Sequence, residues 1–195
     1  ASTAASDVYK RQTMEIVILR MKGNLMQQII EVDNQYKQID NYLLEKKIKK
    51  IFLVCGGSIK KLTIGKYFNG LDKRIGVKVI KFSNFKPNPL YESVVEGVSF
   101  FKSERCDCII AVGGGSAIDV AKCVKLYSNM DENKNYLDQE IVPNDIEFIA
   151  VPTTAGTGAE ATKFAVIYYN GEKQSVSHYS CIPGAVVINP RVLET

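Results

Sequence analysis

Apolar residues along this chain fall into short continuous runs separated by helically spaced stretches, a pattern of strands and helices in alternation. Ile51-Phe52-Leu53-Val54-Cys55 is the first such run, with lysines before it and Gly56-Gly57-Ser58 after it. The positions from about 59 to 71 then read as a helix, and 77–82 as a second strand. Leu90, Val94, Val98 and Phe101 recur at helical spacing up to Glu104. Asn88 is placed to cap that helix and Pro89 to occupy its first turn. Cys108 to Val112 is a third buried strand, 116–127 a helix, and Phe148 to Val151 a fourth strand. In the last fifty residues two strand-like segments, 164–169 and 174–177, flank Asn170-Gly171, a strong two-residue hairpin signal. The AVVINP segment near the end is strand-like as well. Strands that are apolar throughout are buried on both faces, and helices between them supply the cover. The pattern therefore predicts an α/β fold: a doubly wound, mostly parallel sheet with helices on both faces, plus one β-hairpin.

The two ends do not follow this pattern. The first twelve residues, ASTAASDVYKRQ, carry no apolar periodicity, and SDVYKRQ resembles the translation of a sequencing adapter. Residues 1–12 are expected to be non-native and disordered, with Met14 as the start of the natural chain. The other end stops just past a strand with no terminating signal, so residues 13–195 are read as one domain truncated at its C-terminal end.

Composition narrows the function classes. At 46% apolar and 24% charged, the 195 residues can bury a core. The net charge of +4 is too small and too dispersed for a nucleic-acid surface. No apolar run is long enough to span a bilayer, which leaves no membrane role to read. One histidine, His178, cannot build a multi-histidine metal site, and it reads as a surface polar residue. The five cysteines lack C-x-x-C spacing and read as reduced core residues of a cytoplasmic protein.

Two segments carry chemistry. Val112 to Asp119, VGGGSAID, sits where a strand must turn into a helix. Gly113, Gly114 and Gly115 let the backbone approach a ligand closely, and Ser116 with Asp119 is placed to form a capping box. The free N–H groups of that helix start suit a phosphate or pyrophosphate. A tight turn with a capped helix is the plain alternative. The spacing is not G-x-G-x-x-G, and it follows the third strand rather than the first, so a standard Rossmann fingerprint fits poorly. The second segment, VPTTAGTGAE (151–160), also leaves a strand and offers Thr153, Thr154 and Thr157 in a polar loop. In an open parallel sheet these loops, together with Gly56-Gly57-Ser58, share one edge, which points to a phosphorylated ligand.

GGGSAIDVAK (113–122) and VPTTAGTGAEAT (151–162) resemble the paired motifs of the iron-containing alcohol dehydrogenases. PNP at 87–89 and VVEG at 94–97 extend the resemblance, which runs from about residue 38 onward. Dehydroquinate synthase and glycerol dehydrogenases share the first motif. The second motif, with the FAVIYYNGEK hairpin after it, favours the alcohol dehydrogenase branch. A half-enzyme of either other kind, or a nucleotide-binding module without chemistry, stays open at this point.

The resemblance implies the cofactor-binding half of a metal-dependent, NAD(P)-linked alcohol dehydrogenase or aldehyde reductase. Gly114, Gly115 and Ser116 would meet the cofactor pyrophosphate, with Gly113 among the cofactor-binding residues. Asp119 would lie near the nicotinamide, with Asn88 beside the cofactor and Thr153, Thr154 and Thr157 along its cleft. Lys173 matches a lysine that reaches the nicotinamide ribose or phosphate. NAD-preferring members carry an aspartate after the first strand; Gly56, Gly57 and Ser58 stand there instead, with Lys60 nearby, which favours NADP(H). Fe²⁺ or another divalent metal would be held by an aspartate and histidines of a helical second domain beyond residue 195. No catalytic or metal-ligating residue is therefore assigned within this chain, and by itself it is expected to be inactive. The full-length enzyme would be a homo-oligomer acting on a small alcohol or aldehyde. TKFAVIYYNGEKQSVSH further resembles the phosphonoacetaldehyde reductase branch.

Overall fold

The structure, a computed structural model, describes residues 27–32 and 35–189. The segment 1–12 and the last residues of the chain, on which two of the expectations above fall, lie outside the described residues. Eight strands are seen: β1 (Gln28–Glu31), β2 (Lys50–Cys55), β3 (Lys78–Phe82), β4 (Cys108–Gly113), β5 (Glu147–Pro152), β6 (Phe164–Tyr169), β7 (Glu172–Ser177) and β8 (Ala185–Ile188). Helices α1 (Lys37–Glu45), α2 (Thr63–Asn69), α3 (Leu71–Ile75), α4 (Tyr91–Glu104) and α5 (Gly115–Tyr127) connect them.

Six strands form one parallel sheet in the order β1-β8-β5-β4-β2-β3, and β6 pairs with β7 as a separate antiparallel hairpin. Strand alternation divides the core in two. Phe52, Val54, Ile109, Ala111, Phe148 and Ala150 face α4 and α5. Ile51, Leu53, Cys108, Ile110, Ile149 and Val151 face α1, α2 and α3. Every residue of β4 is buried, as a central strand covered on both sides requires. The doubly wound architecture read from the pattern is the one observed. From β2 the chain winds outward to β3, then returns to place β4 on the other side of β2. The order of winding thus reverses between β2 and β4, and ligands of such sheets bind outside the strand ends at that point.

Four local expectations need correction. The helix expected over 59–71 is broken into a 3-10 turn (Gly57–Lys61), α2 and α3. Leu62 is extended between the first two (φ −95°, ψ 146°), and Gly70 separates the last two. Gly65 permits the tight packing there, since a Cβ on it would stand 2.2 Å from the Ile59 carbonyl oxygen. The helix after Pro87 starts at Tyr91, with Leu90 at the capping position and Asn88 exposed in the left-handed region (φ 58°). Its start is delayed because residues 89–90 are held extended by the hairpin: the Tyr168 N–H donates to the Pro89 carbonyl at 2.8 Å, and Leu90 bridges Tyr168. Helix α5 starts at Gly115 with Gly114 as its cap, so Ser116 is not the cap and no capping box forms. Gly113 makes this early turn possible with φ 153°, and its carbonyl is tied to the Thr153 N–H at 3.0 Å. Finally, β1 and α1 precede the run that the apolar pattern reads as the first strand.

Candidate functional site

The parallel register places the ends of β2, β4 and β5 side by side: Cys55 opposite Val112, Val112 opposite Val151, and Gly113 opposite Pro152. The three polar loops therefore leave one edge of the sheet. Two of them touch. A Cβ on Gly114 would stand 2.9 Å from Thr154 Oγ1, and one on Gly115 would lie 3.6 Å from Thr157 Cγ2. Only glycine at 114 leaves that gap open. The Asn170-Gly171 turn has φ 51° and 80°, both positive as a type I′ hairpin turn demands, and it folds β6 back along β7.

Between the glycine turn and the hairpin lies a cleft of about 340 Å³. Gly115, Ser116 and Asp119 of α5 form one side, and Asn88 and Thr157 reach it from neighbouring loops. Phe164, Val166 and Tyr168 of β6 form the opposite wall. The residue pattern alone leaves these three out as site residues. The alternation of FAVIYY was the available signal: Phe164, Val166 and Tyr168 share one face, while Ala165 and Ile167 turn into the core.

Asp119 is the charged group of the cleft. Burial pushes its carboxyl up to about 6, against a hydrogen bond from the Val166 backbone N–H and the positive charge of Lys122. Burial in turn draws the Lys122 ammonium below its ordinary value. Asp119 thus bonds across the cleft wall instead of closing a capping box.

The other predicted site residues sit elsewhere. Gly56, Gly57 and Ser58 share the sheet edge but do not line this cleft. Gly56 is extended (φ −78°, ψ 177°), with nothing within 4 Å of where a Cβ would stand. Thr153 and Thr154 belong to the loop that abuts the glycine turn rather than to the lining. Lys173 is exposed on β7, directly across from Tyr168, so it lies on the cleft-facing side of the hairpin without lining the cleft. A larger groove of about 560 Å³ runs along β3 and α2, but of the loop after β2 it touches Ile59 and Lys60 and none of the predicted residues. His178 is half-buried rather than on the surface, with Nδ1 accepting from the Ser180 N–H at 3.1 Å to cap a 3-10 turn. All five cysteines are free and buried. Among the described residues, no group of three or more His, Cys, Asp and Glu side chains could hold a metal ion. No helix among them is long and apolar enough to cross a membrane.

A doubly wound parallel sheet with a glycine turn at its switch point defines a Rossmann-like α/β domain. The sequence model of the family described as iron-containing alcohol dehydrogenase matches residues 27–190, and the chain belongs to that family. It is 32% identical over 157 residues to the NADPH-dependent butanol dehydrogenase of Clostridium saccharobutylicum, covering 76% of this chain and 40% of that protein. It is 28% identical over 165 residues to the NAD-dependent methanol dehydrogenase of Bacillus methanolicus, covering 80% and 42%. The crystal structure of the NADH-dependent butanol dehydrogenase A of Thermotoga maritima superposes with a TM-score of 0.75 at 27% identity, covering 85% of this chain and 43% of that one. The chain spans about 40% of the length of these curated relatives.

Proposed function

We propose that this chain is the cofactor-binding part of a metal-dependent, NAD(P)-linked alcohol dehydrogenase or aldehyde reductase acting on a small primary alcohol or aldehyde. The observation that carries the reading is the contact of the glycine turn with the threonine loop. It leaves the first N–H groups of the 13-residue helix α5 beside the cleft, in a turn so close to the threonine loop that a Cβ added at Gly114 would stand 2.9 Å from Thr154 Oγ1. The relatives named for butanol, methanol and NAD(P)H support the reaction class. A phosphonate-bearing aldehyde is the narrower substrate suggested by the hairpin sequence.

In this reading Gly113 to Ser116 hold the cofactor pyrophosphate on backbone N–H groups and the positive end of the helix dipole. Thr153, Thr154 and Thr157 flank it with hydroxyls. Asn88 and Asp119 border the nicotinamide, and Lys173 reaches over from the hairpin toward its ribose or phosphate. When bound, the nicotinamide supplies the position that takes or gives a hydride. The described residues do not fit a metal site, so no step through a metal is derived from them. Five buried, unpaired thiols support a reducing, cytoplasmic setting.

Cofactor choice rests on the loop after β2. NAD is selected by a carboxylate that accepts from the ribose hydroxyls and repels a 2′-phosphate; Gly56 offers none, while Ser58 and Lys60 offer a hydroxyl and a cation. NADP(H) is the expected partner. Titrating NADPH and NADH against the protein and following nicotinamide fluorescence tests both points. Tighter NADPH binding is expected; tighter NADH binding would overturn the preference, and binding of neither at millimolar concentration would overturn the cofactor reading.

A further inference from the structure

Lys122 is fully buried, an expensive position for an ammonium group unless its donors are satisfied. Its Nζ donates to the Thr162 carbonyl at 2.7 Å, the Phe164 carbonyl at 2.7 Å and Thr162 Oγ1 at 3.3 Å. All three acceptors are neutral oxygens, and all belong to the entry of β6. Thr162 and Phe164 line the cleft, as does the next residue on the same face, Val166, whose backbone N–H is turned toward Asp119. Asp119 lies one turn before Lys122 on α5. Lys122 therefore holds two successive cleft-facing positions at the entry of the hairpin, and Asp119 of the same helix faces the third. That same helix starts in the glycine turn.

We infer that Lys122 is the positioning residue of the cleft: through its bonds to Thr162 and Phe164 it sets the distance between the glycine turn and the β6 wall. The consequence for cofactor affinity rests on the cofactor reading above; the positioning itself does not. An apolar side chain of the same length would fill the space at lower desolvation cost but could not hold the two carbonyls. The titratable groups around the Asp119–Lys122 pair are Cys123 on α5, Glu160 in the turn at 159–161 and Cys181 beyond β7. Burial keeps both thiols neutral, so Lys122 is the cation that acts on the Asp119 carboxyl.

Lys122→Met tests the inference. Without cofactor, amide exchange at Val166 and Tyr168 is expected to accelerate by about tenfold or more, while Ile110 and Ile149 in the sheet keep their protection. The NADPH Kd is expected to rise by about tenfold, the loss typical of hydrogen bonds from a charged donor. The pH midpoint of NADPH binding should move upward, because Asp119 has lost its neighbouring cation. Lys122→Arg, which keeps charge and donors, should restore part of the affinity and the midpoint. Unchanged exchange in the hairpin of a folded Lys122→Met protein would overturn the inference. So would equal acceleration in β4 and the hairpin, which would make Lys122 a general stability element. If Lys122→Met does not fold, the wild-type Lys122 ammonium decides: a slowly exchanging ¹H–¹⁵N signal supports the inference, and its absence overturns it. If wild-type protein binds neither NADPH nor NADH, the cofactor reading falls, and hairpin exchange still decides the role of Lys122.

Discussion

The parallel sheet and the hairpin set against it are held by different forces. In β4 all six residues are buried and apolar or glycine, and the helices packed on the two sides of the sheet cover both faces with aliphatic and aromatic side chains. The hairpin alternates: Ala165 and Ile167 face the core, while Phe164, Val166 and Tyr168 face the cleft. Polar groups of α5, Asp119 and Lys122, clamp its first strand. Burial of apolar area is non-directional and insensitive to pH, so it fixes a sheet robustly but says little about ångström-level placement. Charge-assisted hydrogen bonds are directional and titratable, so they can place a cleft wall and also make it respond to conditions. The wall of the candidate cleft is the region with the polar attachment.

The largest expected effect tests the first half of that contrast. Ile110→Ala empties a fully buried site in β4 and should cost ~2–5 kcal/mol in urea denaturation. Val166→Ala, on the half-buried cleft face, should cost less than about 1 kcal/mol. Equal losses would show that sheet and hairpin form a single cooperative unit and would break the comparison. Next is the contact between the glycine turn and the threonine loop. Gly114→Val sets side-chain atoms against Thr154 Oγ1, and the NADPH Kd should rise at least about a hundredfold with the denaturation midpoint little changed. A third change acts at the edge of the sheet alone. Gly56→Asp enters open space on an extended backbone, so it should fold normally. In the cofactor reading proposed above, its carboxylate would face the 2′-phosphate, and the NADPH-to-NADH Kd ratio should shift by about tenfold toward NADH.

The smallest expected effect is on pH dependence. Asp119 carries its proton below about pH 6 and loses it above. If Asp119 borders the nicotinamide as proposed above, its carboxylate would favour the positively charged oxidised ring over the neutral reduced one. The affinity ratio of NADP⁺ to NADPH should therefore climb a few-fold, by about a kcal/mol or less, as pH rises through about 6. Asp119→Asn should flatten the profile while still accepting from the Val166 N–H. A profile unchanged in that variant would detach Asp119 from the ring.

Much of the architecture was legible because strands covered on both faces must be apolar at every position, as 51–55 and 108–112 are. The Asn170-Gly171 turn was legible because few other residue pairs accept two positive φ values. Helix starts were less so. Asn88 and Ser116 both have the chemistry of a cap, yet tertiary contacts moved both starts: Pro89 and Leu90 are drawn out by β6, and Gly114 lets α5 begin early. Helix α1 had a readable signal in Ile39, Tyr42 and Leu43, which recur at helical spacing and are buried. The three cleft residues of β6 escaped because alternation shows two faces without showing which one meets a ligand.

Local sequence determined the strand and helix alphabet of this protein, the hairpin turn and the loops rich in glycine and threonine, since each depends on near-neighbour sterics and burial. Tertiary structure decided which loops touch, so closely that a Cβ added at position 114 would stand 2.9 Å from Thr154 Oγ1, and which side chains of α5 grip the hairpin. Those distances are set by the register of parallel strands and by packing across the sheet, between residues about forty positions apart in the chain. No local pattern encodes them, because a side chain such as Lys122 looks like any solvated helical lysine until its acceptors are folded over it.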